Sequence, residues 1–231
     1  MKVVNLLFVS LLCLFTYLQS NAQSTHYLNY DGWYFSGIRY PISIYGVKEN
    51  KTSLDVPSSV IDPGYVNSWT TVGRLSAKIF SLNGGYWSKI KTATTATIPS
   101  TITEMGTSVF ENNSVIKSVT VNASIDIPNN TFAGCTALET VKWASAETIG
   151  TSAFKGCVSL KSMDFLPNSI TSYAANSFYA SGLEMFNFKN KTISIGESAF
   201  ENVIIPDFLS FPRSLTTISS KAFAGCTGIN L

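Results

Sequence analysis

One histidine, His26, and four cysteines are the residues here whose types most readily do chemistry. A single histidine leaves little room for imidazole metal sites or for a Ser–His or Cys–His nucleophile pair. Cys135, Cys157 and Cys226 remain once the hydrophobic leader carrying Cys13 is set aside. No C-x-x-C pair or clustered histidine offers zinc a ligand set. The sequence holds no G-x-S-x-G, H-E-x-x-H, Walker loop or G-x-G-x-x-G, and GESAF and GTSAF are phases of a repeat. Its acids are few and dispersed, so a glycosidase pair is disfavoured too. The reading is a non-enzyme with no catalytic residue, no metal and no cofactor.

Composition agrees with a folded binding or structural chain. Apolar residues make up 45% of the 231 residues and charged ones 13%, enough to bury a core. The formal net charge is +2, from 16 bases and 14 acids, and loss of Lys2 with the leader leaves +1. That balance excludes a dedicated nucleic-acid binder, which needs a basic stripe. Met1 to Ala22 reads as a secretory signal peptide: Lys2, an apolar run to Leu18, then Ser20 and Ala22 before the expected cut at Gln23. The run is shorter than a bilayer requires, so no membrane insertion is expected after its removal. Sequons begin at Asn50, Asn112, Asn122, Asn129 and Asn190, and matter only in a eukaryotic host.

The elements that must position any site are set by an internal repeat. Phe110, Phe132, Phe154, Phe178, Phe200 and Phe223 recur at spacings of 22, 22, 24, 22 and 23. Five residues before them stand Met105, Ile127, Ile149, Tyr173, Ile195 and Ile218; three residues after stand Asn113, Cys135, Cys157, Ser181, Val203 and Cys226. Further on come Ile116/Val119/Val121, Leu138/Val141/Trp143 and Leu160/Met163/Phe165, with Leu183/Phe186/Phe188 one residue short and Pro206/Leu209/Phe211 in register. Their alternation predicts one short strand per unit, and prolines in TIPSTI, FLPNSI and SFPRSL turn the chain. Such a unit cannot bury its apolar face alone, so stacked neighbours share a parallel sheet and continuous buried rows.

ETIGTSAFKGCVSLKSMDFLPNSI and LTTISSKAFAGCTGI resemble the BspA-type leucine-rich repeat, well from Pro99 to Leu231 and less so at ENVIIP after Phe200. The resemblance implies a leucine-rich-repeat right-handed superhelix of short parallel β-strands, mostly β and turn with little helix. It also implies an exported bacterial surface or secreted protein; several family members are adhesins. RLSAKIF, with Leu75 and Phe80, resembles one more unit, and SLDVPSSV the strand and turn of a preceding one. The expected division is a signal peptide at 1–22, a β-rich cap with a degenerate first repeat at 23–70, a degenerate repeat with an insertion at 71–98, and about six repeats at 99–231, the last incomplete.

Repeat register also orders the surface. Cys135 and Cys157 fall on adjacent rungs, which permits either a disulfide or buried free thiols. Asn113, Ser181 and Val203 in the same slot favour free thiols. Lys117, Glu139, Lys161, Glu184 and Asp207 form a row of mostly alternating sign in which neighbouring rungs can pair. A second row, Thr120, Lys142, Asp164, Asn187 and Ser210, predicts a Lys142–Asp164 pair. A third, Ser118, Thr140, Ser162, Met185 and Phe208, turns apolar at its end. The candidate ligand face is therefore Met185, Phe208, Lys142, Asp164, Thr140 and Ser162. The expected partner is an extracellular protein or glycan. The alternative is end-to-end self-association through an uncapped last repeat.

Overall fold

The structure is a computed structural model that describes residues 27–30, 33–36, 42–47, 53–56, 59–62, 68–75, 92–184, 186–205 and 209–228. Its strands are β1 (Tyr27–Tyr30), β2 (Trp33–Ser36), β3 (Ile42–Val47), β4 (Ser53–Asp55), β5 (Ser59–Asp62), β6 (Ser68–Leu75), β7 (Thr95–Ile98), β8 (Glu104–Met105), β9 (Ser118–Ser124), β10 (Thr140–Ser145), β11 (Thr148–Ile149), β12 (Ser172–Tyr173), β13 (Ser194–Ile195) and β14 (Thr217–Ile218). No described residue is helical.

Two parallel ladders build the solenoid. The first runs β4-β7-β9-β10 and the second β11-β12-β13-β14. Between them the chain turns through the phenylalanine of each unit. Phe110, Phe132, Phe154, Phe178 and Phe200 have no solvent exposure. Their rings stack on one another with centroids 5.2, 5.2, 4.9 and 5.3 Å apart, and Phe223 continues the stack 5.7 Å from Phe200. Such offset-stacked pairs add about 0.5–1.5 kcal/mol beyond the area they bury. The backbone follows the rings: Phe132 N donates to Ala153 O at 2.8 Å, Phe154 N to Ser177 O at 2.7 Å, and Phe178 N to Ala199 O at 2.8 Å.

That turn needs two left-handed residues in every unit, one on each side of the ring. Two residues before it lie Ser108, Asn130, Ser152, Asn176, Ser198 and Lys221, and two after lie Asn112, Gly134, Gly156, Ala180, Asn202 and Gly225, all at positive φ. Asn, Gly and Ser dominate because a β-carbon makes this region costly and short polar side chains offset the cost locally.

The N-terminal strands form a mixed sheet in the order β1-β2-β3-β6-β5. Its β6 joins the solenoid, where Leu75 pairs with Met105 and Gly106 N donates to Leu75 O at 2.8 Å. Leu75 thus opens the row that continues through Ile127, Ile149, Tyr173 and Ile195, as RLSAKIF suggested; Phe80 lies outside the described residues. SLDV likewise supplies β4, parallel to β7.

The expectation of a strand in every unit is corrected here: among the described residues the alternating arm is a strand only in β4, β7, β9 and β10. Residues 163–166 bend instead, and Asp164 N donates to Ser162 Oγ at 3.0 Å. A serine hydroxyl that captures a nearby N–H competes directly with the ladder. Residue type alone does not decide this, since Ser53 and Asp55 hold the same positions in β4 and stay in the ladder; there the serine hydroxyl meets the Asp55 carboxylate and not a backbone N–H. The second ladder, β11 to β14, was not foreseen.

Candidate binding face

The first ladder turns one apolar and one polar face to its surroundings. Leu54, Ala96, Val119 and Val141 point into the core, as do Ile98, Val121 and Trp143. Trp143 keeps its indole satisfied by donating Nε1–H to Ile125 O at 2.8 Å. The opposite face carries two rows set by register. Ser53, Thr95, Ser118 and Thr140 stand side by side, and so do Asp55, Thr97, Thr120 and Lys142. Rungs lie about 4.8 Å apart, and the two rows about 6.6 Å apart along the strands. The result is a field of hydroxyls with a carboxylate at one end and an ammonium at the other. Ser53 Oγ donates to the Asp55 carboxylate. Lys142 is exposed and has no acidic partner among the described residues.

Of the six candidate ligand-face residues, the structure brings Thr140 and Lys142 together, both exposed, on β10. Ser162 is half-buried and stands beside the bend that replaces the next strand, and Asp164 is exposed within it. No Lys142–Asp164 ion pair forms, because Asp164 has left the sheet register. Met185 and Phe208 lie outside the described residues. Sequence reasoning missed Ser53, Asp55, Thr95 and Thr97. Their signal was the alternation in SLDV and TATI, which only strand pairing places beside Ser118 and Thr120.

The charged row beside this face behaves as its alternation predicted. Lys117 and Glu139 approach to 3.5 Å and Lys161 and Glu184 to 2.6 Å, with all four side chains roughly half exposed. Exposed pairs of this kind contribute about 0.2–1 kcal/mol.

The thiols do structural chemistry. Cys135 Sγ donates to Phe110 O at 3.0 Å, Cys157 Sγ to Phe132 O at 3.1 Å and Cys226 Sγ to Phe200 O at 3.0 Å. Each therefore bonds the preceding turn, and the three are free thiols rather than a disulfide. Burial pushes the Cys135 thiol from 9.0 up to about 12 and the Cys157 thiol well above its ordinary value. A thiol held protonated is a poor nucleophile and a poor metal ligand. Among the described residues no cluster of histidine, cysteine and acid is placed to hold a metal ion. Asp126 is likewise committed: burial opposes its ionisation, but the N–H groups of Glu147 and Thr148, 2.8 and 2.9 Å from Oδ1, hold its carboxyl below the usual value.

This solenoid with its repeating phenylalanine turn defines a class, the leucine-rich repeats. The family model for the BspA type leucine rich repeat region matches residues 71–165 and 125–230 in six copies, and the chain belongs to that family. No curated protein matches it. Among solved structures it is similar to a leucine-rich repeat protein from Bacteroides ovatus, with 20% identity and TM-score 0.65 over 87% of this chain and 57% of that one. It is also similar to the leucine rich repeat protein of T. pallidum, with 16% identity and TM-score 0.56 over 87% and 81%. A leucine rich cell surface protein from Faecalibacterium prausnitzii shows 19% identity and TM-score 0.53 over 87% and 56%. The chain thus spans little more than half the length of the first and third of these.

Proposed function

We propose that this chain is an exported, non-catalytic binding protein that offers the polar face of β4, β7, β9 and β10 to an extracellular protein or glycan. The observation that carries the reading is the field of six hydroxyls between Asp55 and Lys142, in register over four strands. A surface without a pocket binds through many shallow contacts over a broad area. Family membership supports a place at the cell surface, and so does the likeness to the leucine rich cell surface protein of F. prausnitzii.

Glycan and matrix-protein arrays probed with residues 23–231 test it. A Thr120→Lys, Lys142→Glu double variant should lose at least about tenfold in affinity, or 1.4 kcal/mol, with an unchanged thermal midpoint. Retained affinity in the folded variant places binding elsewhere. Export predicts Gln23, free or cyclised, at the N-terminus of secreted protein by mass spectrometry. An intact Met1 on secreted material contradicts it.

A second reading is end-to-end assembly. Phe211 and Ile218, in the last described turn, are 49% and 50% exposed although they continue the Phe188 and Ile195 rows. Concentration-dependent mass by light scattering that Ile218→Lys abolishes would support it.

A further inference from the structure

Charge is arranged in opposite ways on two neighbouring sides of the solenoid. On the row beside the polar face, Lys117–Glu139 and Lys161–Glu184 alternate and pair. On the edge between the two ladders, signs are segregated. Asp126 and Glu147 occupy adjacent rungs, joined where Glu147 N donates to Asp126 Oδ1 at 2.8 Å. The chain then stacks Thr171 on Glu147, Ile193 on Thr171 and Thr216 on Ile193 through N–H···O bonds of 2.8, 2.7 and 2.9 Å. Lys189 and Lys191 lie on the rung of Ile193. Arg213 lies on the rung of Thr216, where Ser214 Oγ reaches Asn190 O at 2.8 Å. Asp126, Glu147, Lys191 and Arg213 are exposed and Lys189 half-buried, and none of these five charged groups makes an ion pair among the described residues. Like charges on neighbouring rungs repel, so this edge raises the free energy of the isolated chain where the paired row lowers it.

We infer that this edge is a contact surface for a second copy of the chain, laid side by side and antiparallel about a two-fold axis at the rung of Thr171. Rotation about that axis carries the Glu147 rung onto the Lys189–Ile193 rung, and the Asp126 rung onto the Arg213 rung. Every acid then meets a base of the other copy, in an isologous contact that closes on itself. The same rotation covers Ile193, which is 48% exposed in the single chain. Five rungs span only about 20 Å, so the contact belongs with small, weak interfaces below about 1,200 Å². Its attraction is electrostatic and open to screening.

Sedimentation of the full chain tests this. Self-association should be strong at about 0.01 M salt, where screening reaches ~30 Å, and lost at about 1 M, where it reaches ~3 Å. Glu147→Lys makes the edge basic in both halves except at Asp126, which is left intact because it caps backbone. Lys191→Glu with Arg213→Glu makes the edge mainly acidic. Each variant alone should associate at least about tenfold more weakly at low salt. An equimolar mixture of the two should recover a heterodimer, with thermal midpoints near wild type as the folding control. A monomeric wild type, association indifferent to salt, or a mixture that stays monomeric overturns the inference. So does association that Ile218→Lys abolishes and the charge variants leave intact, which assigns it to the end of the stack.

Discussion

The first turns and the last turns of the solenoid share a phenylalanine, a pair of left-handed residues and a row of backbone bonds, yet among the described residues only the first turns carry a broad strand. β9 and β10 run for 7 and 6 residues, while the corresponding residues 163–166 bend; the second ladder, on another arm of the repeat, is made of two-residue strands in every turn it crosses. What repeats without exception is the stacked ring and the turn that carries it. The broad strand is therefore an accessory that particular side chains permit, and the phenylalanine turn is the frame. Among the described residues a broad polar face is found only where the accessory is present.

If the ring stack is the frame in both regions, truncation should cost about as much in either. Phe132→Ala, beneath the wide sheet, and Phe178→Ala, in the later turns, should each lower stability by about 3–5 kcal/mol in urea titrations. A small loss at Phe178 alone would confine the frame to the wide sheet.

The thiol bonds between turns give a pH test of the same size order. Cys135 is raised in the folded chain, so its contribution is whole below about pH 9 and is lost as pH rises from about 9 towards about 12. Denaturant midpoints of Cys135→Val should fall less steeply over that window than those of wild type. Identical profiles would mean the thiol does not titrate with unfolding.

The strands themselves should separate the two regions. Thr120→Gly, in the centre of the wide sheet, should cost about 1 kcal/mol. Asp164→Gly, in the bend, should stay within about ±0.5 kcal/mol. Equal losses would show that the bend is as constrained as the strand. The smallest effect is expected from Lys161→Ala, also within about ±0.5 kcal/mol, because its pair with Glu184 is half exposed.

Much of this architecture was legible because rings and aliphatic residues recur at fixed spacing, and a buried row tolerates few alternatives. The thiol slot was legible for the same reason: Asn113, Ser181 and Val203 can share it with cysteine only if no disulfide is needed. Residues 162–165 misled because Ser162–Phe165 alternates like a strand, while the hydroxyl–backbone bond that overrides it has no period. The second ladder went unseen since two residues, as in Ser172–Tyr173, are too few for alternation to register. Thr140 and Lys142 were placed correctly on the sheet's outer side. Their neighbours Thr95 and Asp55 were not, because the insertion after Leu75 breaks the spacing from which register was read.

The bonds from each phenylalanine to the following turn also have a mechanical consequence. They run along the stack, one turn to the next, so tension applied between the two ends loads them in series. The turns then separate singly, as in unzipping, instead of shearing together. Each released unit of 22 residues frees roughly 75 Å of chain. A stack built this way yields at low force and lengthens stepwise, and the paired strands β4, β7, β9 and β10 hold together while the later turns give.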